Sequence, residues 1–114
     1  MSARMAGLMK QGSHMIVRIE LEGGRAGFYE YRVVFDTEEL YADAGLASVA
    51  ECLVAAVEGM APHMVAAEIW YRGIVSGTYS LAVIAGNLDG VAQHAVNTAD
   101  AIREVLGDDE LQHE

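Results

Sequence analysis

AEIWYRGIVSGTYSLAVIA (residues 67–85) is the stretch whose reading decides the fold. Ile69 to Val75 and Thr78 to Ala85 are both rich in β-branched and aromatic residues, and Ser76-Gly77 between them has turn chemistry. Two strands joined through Ser76-Gly77 are expected, as a hairpin or a bent pair, with Gly86-Asn87 breaking the second. The segments on either side must then be placed against a sheet.

Toward the C-terminus, Leu88, Val91, Ala95, Ala99, Ile102 and Leu106 recur at helical spacing on one stripe. Asn87 or Asp89 can cap the start of this helix and Gly107 can end it, which leaves DDELQHE (108–114) as a solvated acidic tail. Toward the N-terminus, Ser48-Val49-Ala50-Glu51 reads as a capping box. Behind it Val49, Leu53, Ala56, Val57 and Met60 form a second helical stripe, stopped by Gly59 to Pro62. Earlier still, IVRIELE (16–22) puts Val17, Ile19 and Leu21 on one face and Arg18, Glu20 and Glu22 on the other. FYEYRVVFD (28–36) resumes the alternation after Gly23-Gly24 and Gly27, so a β-hairpin with a longer loop is expected. EELYADAGL (38–46), behind Asp36-Thr37, is too short and too mixed to assign.

Two amphipathic helices need a sheet to cover, and four strands supply one. The expected fold is α+β: a two-layer sandwich with a four-stranded, largely antiparallel sheet and both helices on one face. Residues 15–107 form its single domain. Residues 1–14 read as an expression leader ending in a cloning scar, because the strand pattern begins abruptly at Ile16, behind Gly-Ser-His-Met. The natural start is then Met15. The alternative is a fused basic amphipathic peptide, since Met1, Met5, Leu8 and Met9 share a helical face near Arg4 and Lys10 and could dock on the acidic domain.

The composition bounds the function. The 114-residue chain is 53% hydrophobic with a mean hydropathy of +0.20, which excludes disorder for most of it. Its net charge is −10, and without residues 1–14 five Arg face the same 17 acids, a net charge of −12. Such a surface repels phosphate backbones, so nucleic acid is not an expected partner, whereas a basic peptide is. No apolar run is long enough to span a membrane and no secretory pattern opens the chain, so a cytoplasmic protein without a membrane partner is expected.

No phosphate loop, dinucleotide fingerprint, nucleophile elbow or zinc spacing occurs, and Gly23 to Gly27 is a loop between strands. The lone Cys52 and the scattered His14, His63, His94 and His113 have no metal-ligand spacing. Cys52 reads as a buried helix residue; only its place in a first turn favours a nucleophile. No acid–base or nucleophile pair can be identified, so neither catalysis, cofactor nor metal is expected. Trp70-Tyr71-Arg72 carries the sharper signal. Alternation sends Trp70 and Arg72 to one face and Tyr71 to the other; with Tyr71 under the helices, Trp70 stands on the outer face. Trp and Arg are favoured at protein contacts, which makes Trp70 and Arg72 interface candidates. His94, with no carboxylate one turn before it, reads as a surface or interface residue.

From Leu53 onward the chain resembles the shell-protein domain of bacterial microcompartments. The resemblance rests on LVAAVE (53–58) leading through AAEI into a strand, on Ser76-Gly77 between strands, and on AVIAGNLDGV (82–91) followed by AQHAVNTADAIREVLGD (92–108). It covers roughly half of the chain. Because this chain starts with strands and ends on a helix, the similarity is to the circularly permuted members. The resemblance implies a homo-oligomer, typically a hexameric ring in a protein shell, with Val75, Ser76, Gly77 and Thr78 at a small polar central pore. Glu51 or Ala50 stands where the family places a basic residue at subunit edges, so Glu51 joins the interface candidates. The expected function is thus a non-enzymatic, self-associating structural protein. The alternative is an acidic peptide- or protein-binding module of the escort-chaperone kind.

Overall fold

The alternation in residues 16–22 builds the centre of the sheet. The computed structural model describes residues 15–113, with side chains through residue 107; the expectations for residues 1–14 fall outside the described residues. Strand β1 (Met15–Glu22) buries Val17, Ile19 and Leu21 to 1% exposure or less and turns Arg18 and Glu20 to the opposite face. After the glycine-rich loop, β2 (Tyr29–Phe35) returns antiparallel, with Val33 opposite Ile19. There follow β3 (Glu38–Leu46), α1 (Val49–Glu58), β4 (Met64–Tyr71), β5 (Ile74–Ser80), α2 (Leu81–Gly86) and α3 (Leu88–His113).

The strand order is β3-β2-β1-β4-β5, with β1 parallel to β4 and the other pairs antiparallel. The fold is therefore α+β as expected, but among the described residues it has a mixed, five-stranded sheet and three helices in place of four largely antiparallel strands and two helices. The extra strand is EELYADAGL. A two-residue turn, Asp36-Thr37, sets it beside β2, and Asp36 takes the left-handed φ of 57° that tight hairpins need. Tyr41 anchors it. Its ring meets Tyr31 edge to face at 6.2 Å, and its hydroxyl donates to the Ala56 carbonyl in α1. The ring also lies against Gly59, where a Cβ would come within 2.7 Å of it. One added strand reverses the direction in which the chain enters α1, and β4 consequently runs parallel to β1 rather than against it.

The second hairpin turns elsewhere than expected. Tyr71 faces Ile74, so the turn is Arg72-Gly73, both with positive φ (53° and 84°). Val75, Ser76, Gly77 and Thr78 lie within edge strand β5, and the turn chemistry of Ser76-Gly77 appears as a bulge: Gly77 pairs with Ile69 and Val75 with Trp70, leaving Ser76 over. Residues 81–86 form a short helix, not strand, because the Ser80 hydroxyl caps it by accepting the Val83 N–H at 3.1 Å. Nor does α3 stop at Gly107; the expected tail continues it to His113.

The first helix begins as its capping signal says. The Ser48 hydroxyl accepts the Glu51 N–H at 3.1 Å, while the Glu51 carboxylate accepts from the Ala47 N–H at 3.4 Å. Leu53, Ala56 and Cys52 of α1, Ile84 of α2, and Val91, Ala95 and Ala99 of α3 close over the inner face of the sheet. Among the described residues no helix lies on the outer face.

Candidate functional site: the outer sheet face

Inward and outward residues alternate along β4: Ala67, Ile69 and Tyr71 are buried, Glu68 and Trp70 half-buried on the other side. Tyr71 lies under the helical layer, its hydroxyl donating to the Gly23 carbonyl at 2.6 Å, and Trp70 stands on the outer face, as the alternation implies. Register then builds a small lattice there. Arg32, Glu20 and Trp70 lie side by side on β2, β1 and β4, and in the next row so do Val34, Arg18, Glu68 and Thr78.

These side chains hold one another. Arg18 Nε lies 2.6 Å from Glu20 Oε2, although its N–H is not aimed to form a hydrogen bond, and Arg32 donates to the other Glu20 oxygen. Trp70 Nε1 donates to Glu68 Oε1 at 2.7 Å, and the Arg18 guanidinium sits 5.1 Å from the indole centroid in a cation–π contact. Two arginines and two glutamates balance at the centre of a face on an otherwise acidic molecule. Ile16 (54% exposed) and Val75 (40%) stand open around them. A depression of about 340 Å³ lies between Ile16, Arg18, Val34, Asp36, Glu68 and Thr78, and a smaller one of about 180 Å³ between Glu20, Glu22, Trp70 and Gly73. A third, of about 320 Å³, lies at the starts of α1 and α3 beside Ser48 and Asp89.

The other candidates do not join this site. Arg72 is in the β4–β5 turn, where its left-handed backbone takes it off the alternation shared with Trp70. Glu51 and His94 are exposed on helices that cover the inner face; His94 lies 3.5 Å from Thr98. Val75 and Thr78 border the outer face from β5, and Gly77 lies under Tyr79, whose hydroxyl would sit 2.9 Å from a Cβ there. Sequence reading missed Arg18, Glu20, Arg32 and Glu68 as companions of Trp70. The alternation of β1 placed the first two on an outer face, but strand order was needed to bring them to the tryptophan.

Cys52 has the environment of a core residue. It is fully buried, and burial, with lesser contributions from Asp43, Glu51 and Glu30, pushes its thiol up to about 11, the opposite of nucleophile activation. Burial likewise raises Tyr41 to about 12 and raises Tyr31 and Tyr71. Among the described residues no three His, Cys, Asp or Glu side chains group as a metal site, and no helix is long and apolar enough to cross a membrane. Comparison with known proteins finds no matching family model, no matching curated relative and no matching solved structure. The shell-protein resemblance therefore stands on the sequence motifs alone.

Proposed function

We propose that this protein is a non-enzymatic structural protein that self-associates through the outer face of its sheet around Trp70. The supporting observation is the charge-balanced lattice of Arg18, Glu20, Arg32 and Glu68 beside a half-buried tryptophan, with Ile16 and Val75 open at its margins. Copies of a chain this acidic repel one another over most of their surface. Repulsion is least where positive and negative side chains alternate, and a two-fold contact there sets Arg against Glu in both directions. Trp70 supplies the aromatic anchor such contacts favour.

Trp70 is the only tryptophan, so its fluorescence reads this face directly. Light scattering should give a mass above one copy, and the Trp70 emission should shift to the red as the assembly is diluted. A mass of six copies supports the shell-type ring, and a mass of two supports the face-to-face contact without it. A monomer at all concentrations, with unchanged emission, overturns the proposal. The second reading, a module that binds basic peptides, is favoured by β3: an edge strand with Glu38, Glu39 and Asp43 exposed offers strand pairing and negative charge together. Saturable binding of a Lys-rich extended peptide, lost on charge removal in β3, would favour it.

A further inference from the structure

The two edge strands of the sheet differ in charge. Strand β5 and the α2 helix that follows it, residues 74–86, carry no charged side chain. Strand β3 lies in a stretch, residues 36–62, without Lys or Arg, whose acids are Asp36, Glu38, Glu39, Asp43, Glu51 and Glu58, all exposed. Ala42, Ala44 and Gly45 are exposed as well, so small side chains leave the backbone of this edge accessible. Its far end is already engaged: the Leu46 carbonyl accepts the Gly27 N–H at 3.0 Å, and the Ala44 N–H donates to Asp43 Oδ1 at 2.8 Å. Among the described residues no strand lies beside residues 38–43 on the side away from β2.

Register sorts the charges by side. Glu38 pairs with Phe35 and Asp43 with Tyr31, so both stand with Tyr41 on the inner side, where Tyr41 reaches α1; Leu40 is left over as a bulge. Helix α1 adds Glu51 and Glu58, seven residues apart and therefore on one side of it. On the outer side Glu39 pairs with Val34, Ala44 with Glu30, and Ala42 with Arg32, which also donates to Glu20. Arg25, the other basic residue near β3, lies at the Leu46 end, its guanidinium 4.5 Å from the Phe28 ring. The inner side of the open edge thus holds Glu38, Asp43, Glu51 and Glu58 with no cation, whereas the outer side sets Glu39 and Glu30 beside an arginine.

We infer, building on the peptide-binding reading of this edge, that β3 accepts as an added strand an extended peptide with Lys or Arg at alternate positions, its basic side chains on the α1 side. Successive side chains of an added strand point to opposite sides of the sheet, so alternate positions share one side. An alternating peptide therefore places all of its cations by the inner carboxylates and none by Arg32, and opposite charges across neighbouring strands attract. A second copy of this chain is the wrong occupant here. Pairing β3 with β3 would set Glu38, Glu39 and Asp43 against their own equivalents.

Two labelled peptides of identical composition test this on the full-length chain by fluorescence anisotropy. In one, Lys and Thr alternate; in the other the lysines stand in adjacent pairs, which point to both sides alike. The alternating peptide should bind about tenfold tighter, the gain expected from a few added surface ion pairs. Asp43→Asn combined with Glu58→Gln should remove that preference, whereas Glu39→Gln should weaken both peptides and preserve it. N-methylation of the alternating peptide's amides keeps its charge but prevents strand pairing, and should also remove the preference. Trp70→Ala should leave it intact, because the outer sheet face is a separate surface. Equal binding of the two peptides overturns the inference while sparing the broader peptide-binding reading, and failure of both to bind overturns both. A preference that survives N-methylation or the Asp43 and Glu58 changes, or that is lost in Trp70→Ala, overturns it as well.

Discussion

The two faces of the one sheet are built by the same strands and yet obey different rules. On the inner face Val17, Ile19, Leu21, Val33 and Ile69 are all at 1% exposure or less, closed over by three helices. On the outer face the alternate residues of the same strands include Arg18, Glu20, Glu68 and Trp70, half-buried, Arg32, which stays exposed, and Val34, buried at 6% exposure. Hydrophobic burial, additive over area and indifferent to direction, supplies the inner face. Directional charge pairs, each worth little in water, organise the outer one. The inner face accordingly carries stability, and the outer face is free to carry recognition.

A matched pair of truncations should break that comparison if it is wrong. Ile69→Ala, on β4 at 0% exposure, leaves a cavity under the helices and should cost about 2–5 kcal/mol in urea denaturation. Ile16→Ala, on β1 at 54% exposure, should change stability by no more than about 0.5 kcal/mol. Comparable losses would mean that the outer face is itself part of the core.

The inner face was also the legible one. Val17, Ile19 and Leu21 alternate without interruption, and the stripes of α1 and α3 repeat at helical spacing, so the two-layer α+β arrangement could be read from burial pattern alone. What escaped lay where burial is one-sided or local. The strand β3 has Tyr41 as the one strongly packed ring among exposed neighbours, so it shows no period-two signal, and its omission changed the parity of the whole sheet. The Arg72-Gly73 turn lacked the usual Asn or Asp, though Gly73 beside a hydrophobic run was a usable cue. Ser80, three residues before Val83, was the cue for α2, masked by the β-branched residues around it. For the site, Trp70 could be placed on a face only conditionally, and its partners on β1 and β2 are brought to it by strand order. Spacing within a single strand cannot supply that.

The inner face should also dominate the alkaline response. The charged form of Cys52 is the thiolate, which burial disfavours, so the folded state holds that proton more tightly than the unfolded chain does. Its contribution is complete below the ordinary thiol value of 9.0 and is lost as pH rises toward about 11. Tyr41 repeats the pattern from 10.0 to about 12. The unfolding free energy from urea denaturation should therefore fall above pH 9, by ~1–3 kcal/mol for the cysteine alone. In Cys52→Ala the decline should start later, near pH 10, from a lower baseline. An identical pH profile in the two proteins would place the alkaline sensitivity elsewhere than in this thiol.

The smallest effect on folding belongs to the outer face, and it tests the division of labour most finely. The Glu20 side chain, 18% exposed, sits between Arg18 and an Arg32 side chain that is 57% exposed. Glu20→Gln keeps the shape and removes the charge. An exposed pair of this kind contributes about 0–1 kcal/mol, so the urea midpoint should scarcely move. Association should respond differently. Two arginines without their shared carboxylate leave the centre of the face positive in every copy, and a two-fold contact would then oppose like charges. Self-association measured by light scattering should weaken, and the loss should shrink as salt screens the repulsion. A Glu20→Gln variant that unfolds as easily as Ile69→Ala would assign the outer face to the core. One that folds and assembles as before would leave Trp70 with its apolar neighbours, and not the charge lattice, as the source of the contact.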